Sequence, residues 1–331
     1  MSHQKLIQID EQDFRDKRVV IIGAGWMADQ YCQALTAMGI RSVVVVSRKE
    51  ESSRQCGERY GYQPMHGGYE KVLPKLAVAD LVIVATPIHE LRPAAEFAAS
   101  LGFRNILVEK PGALRSEDLR DWASAADRQG VRIRVAFNRQ TYPSFWKFKE
   151  LADQEGGITS CHYMFTEWIH TINFHNNRED VYRRWGIANS LHVIAMAHGL
   201  IGMPQQIAVY RDGGLAWHPS GERFAGAGIT EAGALFSYHA DWNSAGRWGI
   251  EMMTPQHAYR FIPLEKLFRC PKGSVNWEPV EVTPAFPQVK EGVAEEVAVM
   301  LSIDGEKDCP LITLSKSSEF VKLAENIFGY P

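Results

Sequence analysis

The sequence predicts an α/β fold in two parts. Residues 1–140 read as a parallel sheet covered by helices on both faces, and residues 141–331 as an α+β domain with an open, largely antiparallel sheet. Three observations predict it. Five short apolar runs alternate with helical stretches in the first part, the pattern of strands buried on both faces. The chain has 331 residues, more than one hydrophobic core usually supports. After residue 140 tryptophans become frequent, and strand-like segments follow one another without intervening helices.

The elements justify this in order. Val19-Val20-Ile21-Ile22 is an apolar run ending at Gly23-Ala24-Gly25-Trp26-Met27-Ala28, which fits G-x-G-x-x-G/A between a strand and a helix. Gly23 permits the tight turn, Gly25 lets backbone approach a pyrophosphate, and Ala28 allows close helix–strand packing. The helix start adds free N–H groups and a positive dipole end. This is a Rossmann-type dinucleotide-binding signature, with Trp26 and Met27 inside its loop. The helix carries Met27, Tyr31, Leu35 and Met38 at helical spacing, and Gly39 stands at its C-cap. A second strand, Ser42 to Val46, leads into Ser47-Arg48-Lys49. An acid here would bond a ribose 2′-OH; a hydroxyl followed by two cations suits a 2′-phosphate. NADP(H) is therefore favoured over NAD(H), although a capping serine and two solvated cations would read the same. Leu81 to Ala85, Asn105 to Val108 and Val131 to Phe137 complete the five strands.

In the second part Ser160 to Trp168 and Ala232 to Tyr238 read as strands. Ser190 to Leu200 and Ser317 to Ile327 read as helices, the latter able to pack back on the first domain. Residues 211–228 are glycine-rich and read as a long loop. Composition excludes several classes. A net charge of −3 favours neither nucleic acid nor an anionic membrane. No apolar run nears the roughly 18 residues of a bilayer span, and the polar first residues are not a secretory signal. Five scattered cysteines with no C-x-x-C pair argue against a disulfide framework or zinc, and for the cytoplasm. His170/His175 and His192/His198 lack the i, i+4 spacing of metal ligands on one helical face, so no metal is expected.

At Glu109-Lys110-Pro111 the chain resembles the Gfo/Idh/MocA oxidoreductases, the glucose–fructose oxidoreductase and inositol dehydrogenase group. Matching pieces are Gly23 to Ala28, Ala85-Thr86-Pro87, Glu109-Lys110-Pro111, Phe137-Asn138-Arg139 and Asn189-Ser190-Leu191-His192, in order over nearly the whole chain. The resemblance implies that Thr86, Pro87 and Glu109 line the cofactor site and that Lys110 sits beside the nicotinamide and the reacting carbon. It also implies a second domain that carries substrate on one sheet face and oligomerises through the other, as a homodimer or homotetramer. A lysine there can polarise a carbonyl or hold a hydroxyl, with its pKa drawn down by burial. His192, in the first turn of a helix whose dipole disfavours imidazolium, is the natural acid/base. The family often has aspartates four before and three after this histidine; here Ala188 and Ala195 stand there. Asn189 offers a polar contact, or simply caps the helix.

Arg139 and Tyr142, the cluster Glu167-Trp168 and the pair Asp241 and Arg247 combine aromatic platforms, carboxylates and guanidinium groups, a set that suits a carbohydrate. The same residues taken singly also read as core or solvated surface. The expected activity is hydride transfer between NAD(P) and a carbon of a sugar, sugar nucleotide or polyol. Two other readings stay open: a glycosidase or lyase that holds NAD tightly and oxidises transiently, and a non-catalytic NAD(P) or sugar sensor.

Overall fold

The computed structural model describes residues 8–302 and 305–331; the first seven residues, part of the segment read above as no secretory signal, lie outside them. The first domain runs β1 (Arg18–Ile22), α1 (Trp26–Ala37), β2 (Ser42–Ser47), α2 (Glu50–Glu58), β3 (Gln63–His66), β4 (Leu81–Val84), α3 (Ile88–Ser100), β5 (Asn105–Glu109), α4 (Ser116–Arg128) and β6 (Arg132–Ala136). These strands are parallel, and the order β6-β5-β4-β1-β2-β3 reverses between β1 and β4. That reversal opens a crevice at the carboxyl ends of the two strands, where doubly wound sheets bind ligands. β1 and β4 are apolar and almost wholly buried because helices cover both faces.

A helix, α5 (Pro143–Gln154), then enters the second domain ahead of its first strand, over residues where the sequence marks no element. Pro143 starts it at a position where no N–H is needed. Phe145, Phe148 and Ala152, spaced i, i+3, i+7, bury its inner face; the aromatic texture masked this period. The domain continues with β7 (Ser160–Phe165), α6 (Leu191–Ile201), β8 (Pro204–Asp212), β9 (Arg223–Thr230), β10 (Leu235–Asp241), β11 (Trp248–Met253), β12 (His257–Phe261), β13 (Leu267–Pro271) and β14 (Glu278–Val280). Its sheet has the order β14-β13-β12-β11-β7-β10-β9-β8, antiparallel apart from the β7–β10 pair.

The expected loop over 211–228 is strand at both its ends. β8 and β9 pair through to Asp212 and Arg223, which leaves only the ten residues between them as a connection. The glycines in β9 serve packing. A Cβ on Gly226 would meet the Tyr238 hydroxyl at 2.4 Å, and one on Gly228 would meet the Phe236 ring at 2.7 Å. Large aromatic rings on β10 take the space that side chains on β9 would need.

After β14 the chain returns to the first domain. Helix α7 (Val293–Leu301) packs on α1, β15 (Ile312–Thr313) adds an antiparallel strand beside β6, and α8 (Leu314–Phe328) packs on α4. The closing helix thus lies against both domains, with Phe328 edge-on to Phe165 of β7 at 5.4 Å.

Candidate functional site

The turn after β1 is shaped by close approach. Gly23 has φ 127°, and a Cβ there would lie 2.2 Å from the Ala85 carbonyl oxygen. Gly25 meets nothing within 4 Å, so its backbone faces open space at the start of α1. Ala28 is wholly buried, as close helix–strand packing requires. Trp26 is 66% exposed at the rim. These residues open a cavity of about 810 Å³ along the carboxyl edge of the sheet, lined further by Met27, Ser47, Arg48, Lys49, Thr86, Pro87, Glu109, Lys110 and Asn189. The cavity fits a dinucleotide in kind: empty room over Gly25, the free N–H groups of a helix start, and two buried polar atoms without a partner, Thr86 Oγ1 and Trp185 Nε1.

At the β2 end, Ser47 is not a helix cap. Its hydroxyl donates to the Lys49 carbonyl, and α2 starts with no side-chain cap. Arg48 and Lys49 line the cavity and, among the described residues, form no ion pair. Tyr69, from the short helix after β3, and Asn176, Asn177, Val181 and Trp185, from the segment before α6, also line it and stand in no motif that marks them in the sequence.

At the other end, Lys110 follows β5, and its ammonium donates to the Ala188 carbonyl at 2.7 Å. Burial draws its pKa down to about 8; Glu109 and Glu167 oppose that, and Arg139 adds to it. His192 is the second residue of α6. The expected helix-start dipole is absent there, because the backbone is already helical, as a π turn, from Gly186 to Ser190. What holds the imidazole neutral is burial, reinforced by Arg139, Lys110 and Lys290. Its Nδ1 is buried without a partner. Asn189 is not a helix cap either: its amide donates to Glu167 at 2.8 Å.

Glu167 gathers the polar groups beyond Lys110. It accepts from Ser190 Oγ at 2.5 Å and from Asn189, and pairs with Arg247 at 3.5 Å. Burial raises its pKa against those partners. The Arg247 guanidinium lies between two indoles, 4.6 Å from Trp168 and 4.2 Å from Trp248. Arg139 stacks over Trp248 at 5.1 Å, and the His192 ring centres 6.0 Å from the same indole. Trp248 therefore joins the two arginines to the histidine. Tyr142 is buried nearby and donates to Glu265 at 3.2 Å. Asp241 does not join this group: its carboxylate accepts from the Asn243 N–H at 3.1 Å, in the turn after β10. Lys290, whose ammonium sits 5.5 Å over Trp26, carried no sequence signal. A larger groove of about 1190 Å³ runs between α4, α8 and β8, but Lys110 is not among its walls; His192 lines neither this groove nor the cavity over Gly25.

The geometry agrees with a match in sequence. Residues 17–137 fit the family model described as "Oxidoreductase family, NAD-binding Rossmann fold", GFO_IDH_MocA. Residues 17–137 are the NAD-binding domain of the Gfo/Idh/MocA oxidoreductases. An uncharacterized oxidoreductase of Rhizobium meliloti is 28% identical over 135 residues, 40% of this chain and 40% of that protein. The chain thus aligns with well under two thirds of this curated relative. In fold the likeness to Gfo/Idh/MocA-type structures covers both domains. A levoglucosan dehydrogenase in complex with NADH and levoglucosan has TM-score 0.75 at 18% identity, over 95% of this chain and 96% of that one. A UDP-N-acetylglucosamine 3-dehydrogenase of Acidithiobacillus ferrooxidans has TM-score 0.70 at 14% identity, over 95% and 97%.

Proposed function

We propose that this NAD-binding oxidoreductase moves a hydride between bound NAD(P) and one carbon of a sugar, sugar nucleotide or polyol, with Lys110 and His192 handling the proton. One observation carries the reading. The cavity that begins over Gly25 ends at Lys110, and the charge of that lysine is one of those that hold the buried His192 ring neutral, with its Nδ1 free of a partner. The cofactor supplies a nicotinamide that accepts or returns hydride. The neutral imidazole of His192 accepts the proton of a hydroxyl as that carbon is oxidised, and Lys110 holds or polarises the oxygen. Glu167 fixes Asn189 and Arg247 for the substrate, whose C–H faces stack against the exposed Trp168 ring. The two named dehydrogenases with this fold act on sugars, which supports the carbohydrate reading. Residues 1–140 would hold the cofactor and most of 141–331 the substrate, in a cytoplasmic homodimer or homotetramer joined through the outer face of the second sheet.

Arg48 and Lys49 at the cavity edge favour NADP(H). Titrating the purified protein with NADPH and with NADH, followed through tryptophan quenching, tests this directly, since Trp26 stands in the phosphate loop. NADPH is expected to bind at least tenfold more tightly, about 1.4 kcal/mol. Tighter NADH binding overturns the NADP preference. No binding of either, with no cofactor released on denaturation, overturns the hydride-transfer reading.

A further inference from the structure

Behind Lys110, three buried groups from distant parts of the chain meet: Tyr31 on α1, Glu109 at the end of β5 and Glu296 on α7. The Tyr31 hydroxyl lies 2.7 Å from Glu109 Oε1 and 3.2 Å from Glu296 Oε1. Their exposures are 0%, 9% and 1%. A phenol has one hydrogen and can donate it to only one carboxyl. Its contact with the second is a hydrogen bond only if that carboxyl carries a proton and donates to the phenol oxygen. Two carboxylates sharing one dry site do not both ionise readily.

The surroundings decide which keeps its charge. Glu109 faces Tyr31 and the ammonium groups of Lys110 and Lys290. Glu296 faces Glu109, Tyr31 and Glu295, and among the described residues no cation acts on it. Cys309 senses both glutamates of α7, but burial pushes its thiol up to about 12, so it brings no charge. Burial raises both Glu109 and Glu296, the latter much further.

We propose that Glu296 is a neutral carboxylic acid donating to Tyr31, that Tyr31 donates to an ionised Glu109, and that this chain of hydrogen bonds fixes the negative charge beside Lys110. The inference rests on Lys110 being the working amine. Tyr31 and Glu296 are absent from the cavity wall, so they are positioning residues that act through Glu109. The Glu109 charge supports the protonated form of Lys110 against burial and against Arg139, with Glu167 assisting. Without the Tyr31 donor, Glu109 ionises less readily and Lys110 gives up its proton at lower pH.

Two measurements on the purified protein, without cofactor or substrate, test this. Infrared difference spectra at neutral pH between wild type and Glu296→Gln should show loss of one protonated-carboxyl C=O band. Absence of such a band overturns the proposal, as does its loss in Glu109→Gln with retention in Glu296→Gln. The second measurement is the pH dependence of Lys110 acylation by an amine-selective reagent, quantified by peptide mass spectrometry. Tyr31→Phe is expected to lower the midpoint by about one pH unit, and Glu296→Gln, which can still donate to Tyr31, to leave it in place. An unmoved midpoint in Tyr31→Phe overturns the proposal; if that variant does not fold, the infrared band decides. Failure of nicotinamide binding would be seen in the separate titration, so the two readings fail independently.

Discussion

Lys110 stands between opposing influences. Burial takes its midpoint down to about 8, Glu109 and Glu167 hold the proton on, and Arg139 pushes it off. An amine poised there can take or give a proton near neutral pH, which an ordinary lysine does poorly. Arginine at this position would stay charged at every accessible pH and would present a planar fork in place of a compact ammonium. Lys110→Arg is therefore expected to lose the inflection near pH 8 in the kcat/KM profile. The rate should also fall about 10²- to 10⁴-fold, the usual worth of a positioned acid or base. An inflection that survives the substitution would belong to another group. The residues readable from the sequence were those whose chemistry is local: Gly23, Gly25 and Lys110 stand in short motifs with fixed neighbours. Lys290 and the Tyr31–Glu296 contact were not readable, because the latter joins positions 265 residues apart and the helical spacing that marks Tyr31 as buried says nothing of its partner. His192 was legible as a residue but not in its cause, since burial and three cations, not a helix start, hold its ring neutral.

Among the elements, β1, β2, β4 and β5 were visible through apolar runs that are mostly buried, and β6 through Ile133, Val135 and Ala136, buried beside the partly exposed Arg132 and Arg134. β9 was hidden for the opposite reason. Its sequence RFAGAGIT carries two glycines that normally weaken a strand, and only its neighbours explain them: the rings of Tyr238 and Phe236 on one side and the Ala208 and Gln206 carbonyls of β8 on the other. The same logic holds at Gly186 in the π turn, where a Cβ would fall 2.3 Å from the Phe328 ring. Gly226→Ala is expected to lower stability by about 1–3 kcal/mol, the usual result of forcing an extra methyl into a packed interior. The urea midpoint reads it out. A midpoint equal to wild type would mean that Tyr238, whose hydroxyl is buried without a partner, yields the space at no cost.

At the scale of the whole molecule, the two domains are tied by the end of the chain, which the sequence suggested only as a helix able to fold back. Glu325 on α8 accepts from the Ser116 N–H at 3.0 Å and its hydroxyl at 2.7 Å, at the start of α4 in the first domain. It also pairs at 3.4 Å with Arg184, which precedes the π turn of the second domain, and both side chains are 8% exposed. Arg184 further donates to the Pro331 carbonyl, while Tyr330 hydrogen-bonds Gly186 N and His218. One carboxylate thus caps a helix in one domain and neutralises a buried guanidinium of the other. Glu325→Ala leaves that guanidinium uncompensated and is expected to cost about 3–5 kcal/mol, as removal of one member of a buried pair does. Because the group belongs to both domains, urea unfolding followed by tryptophan fluorescence should change in form as well as midpoint: the single transition expected of the wild type should separate into two. A single transition displaced by less than about 1 kcal/mol would place Glu325 among weakly contributing surface pairs, and the coupling of the domains would then rest on the Phe328 and Tyr330 rings.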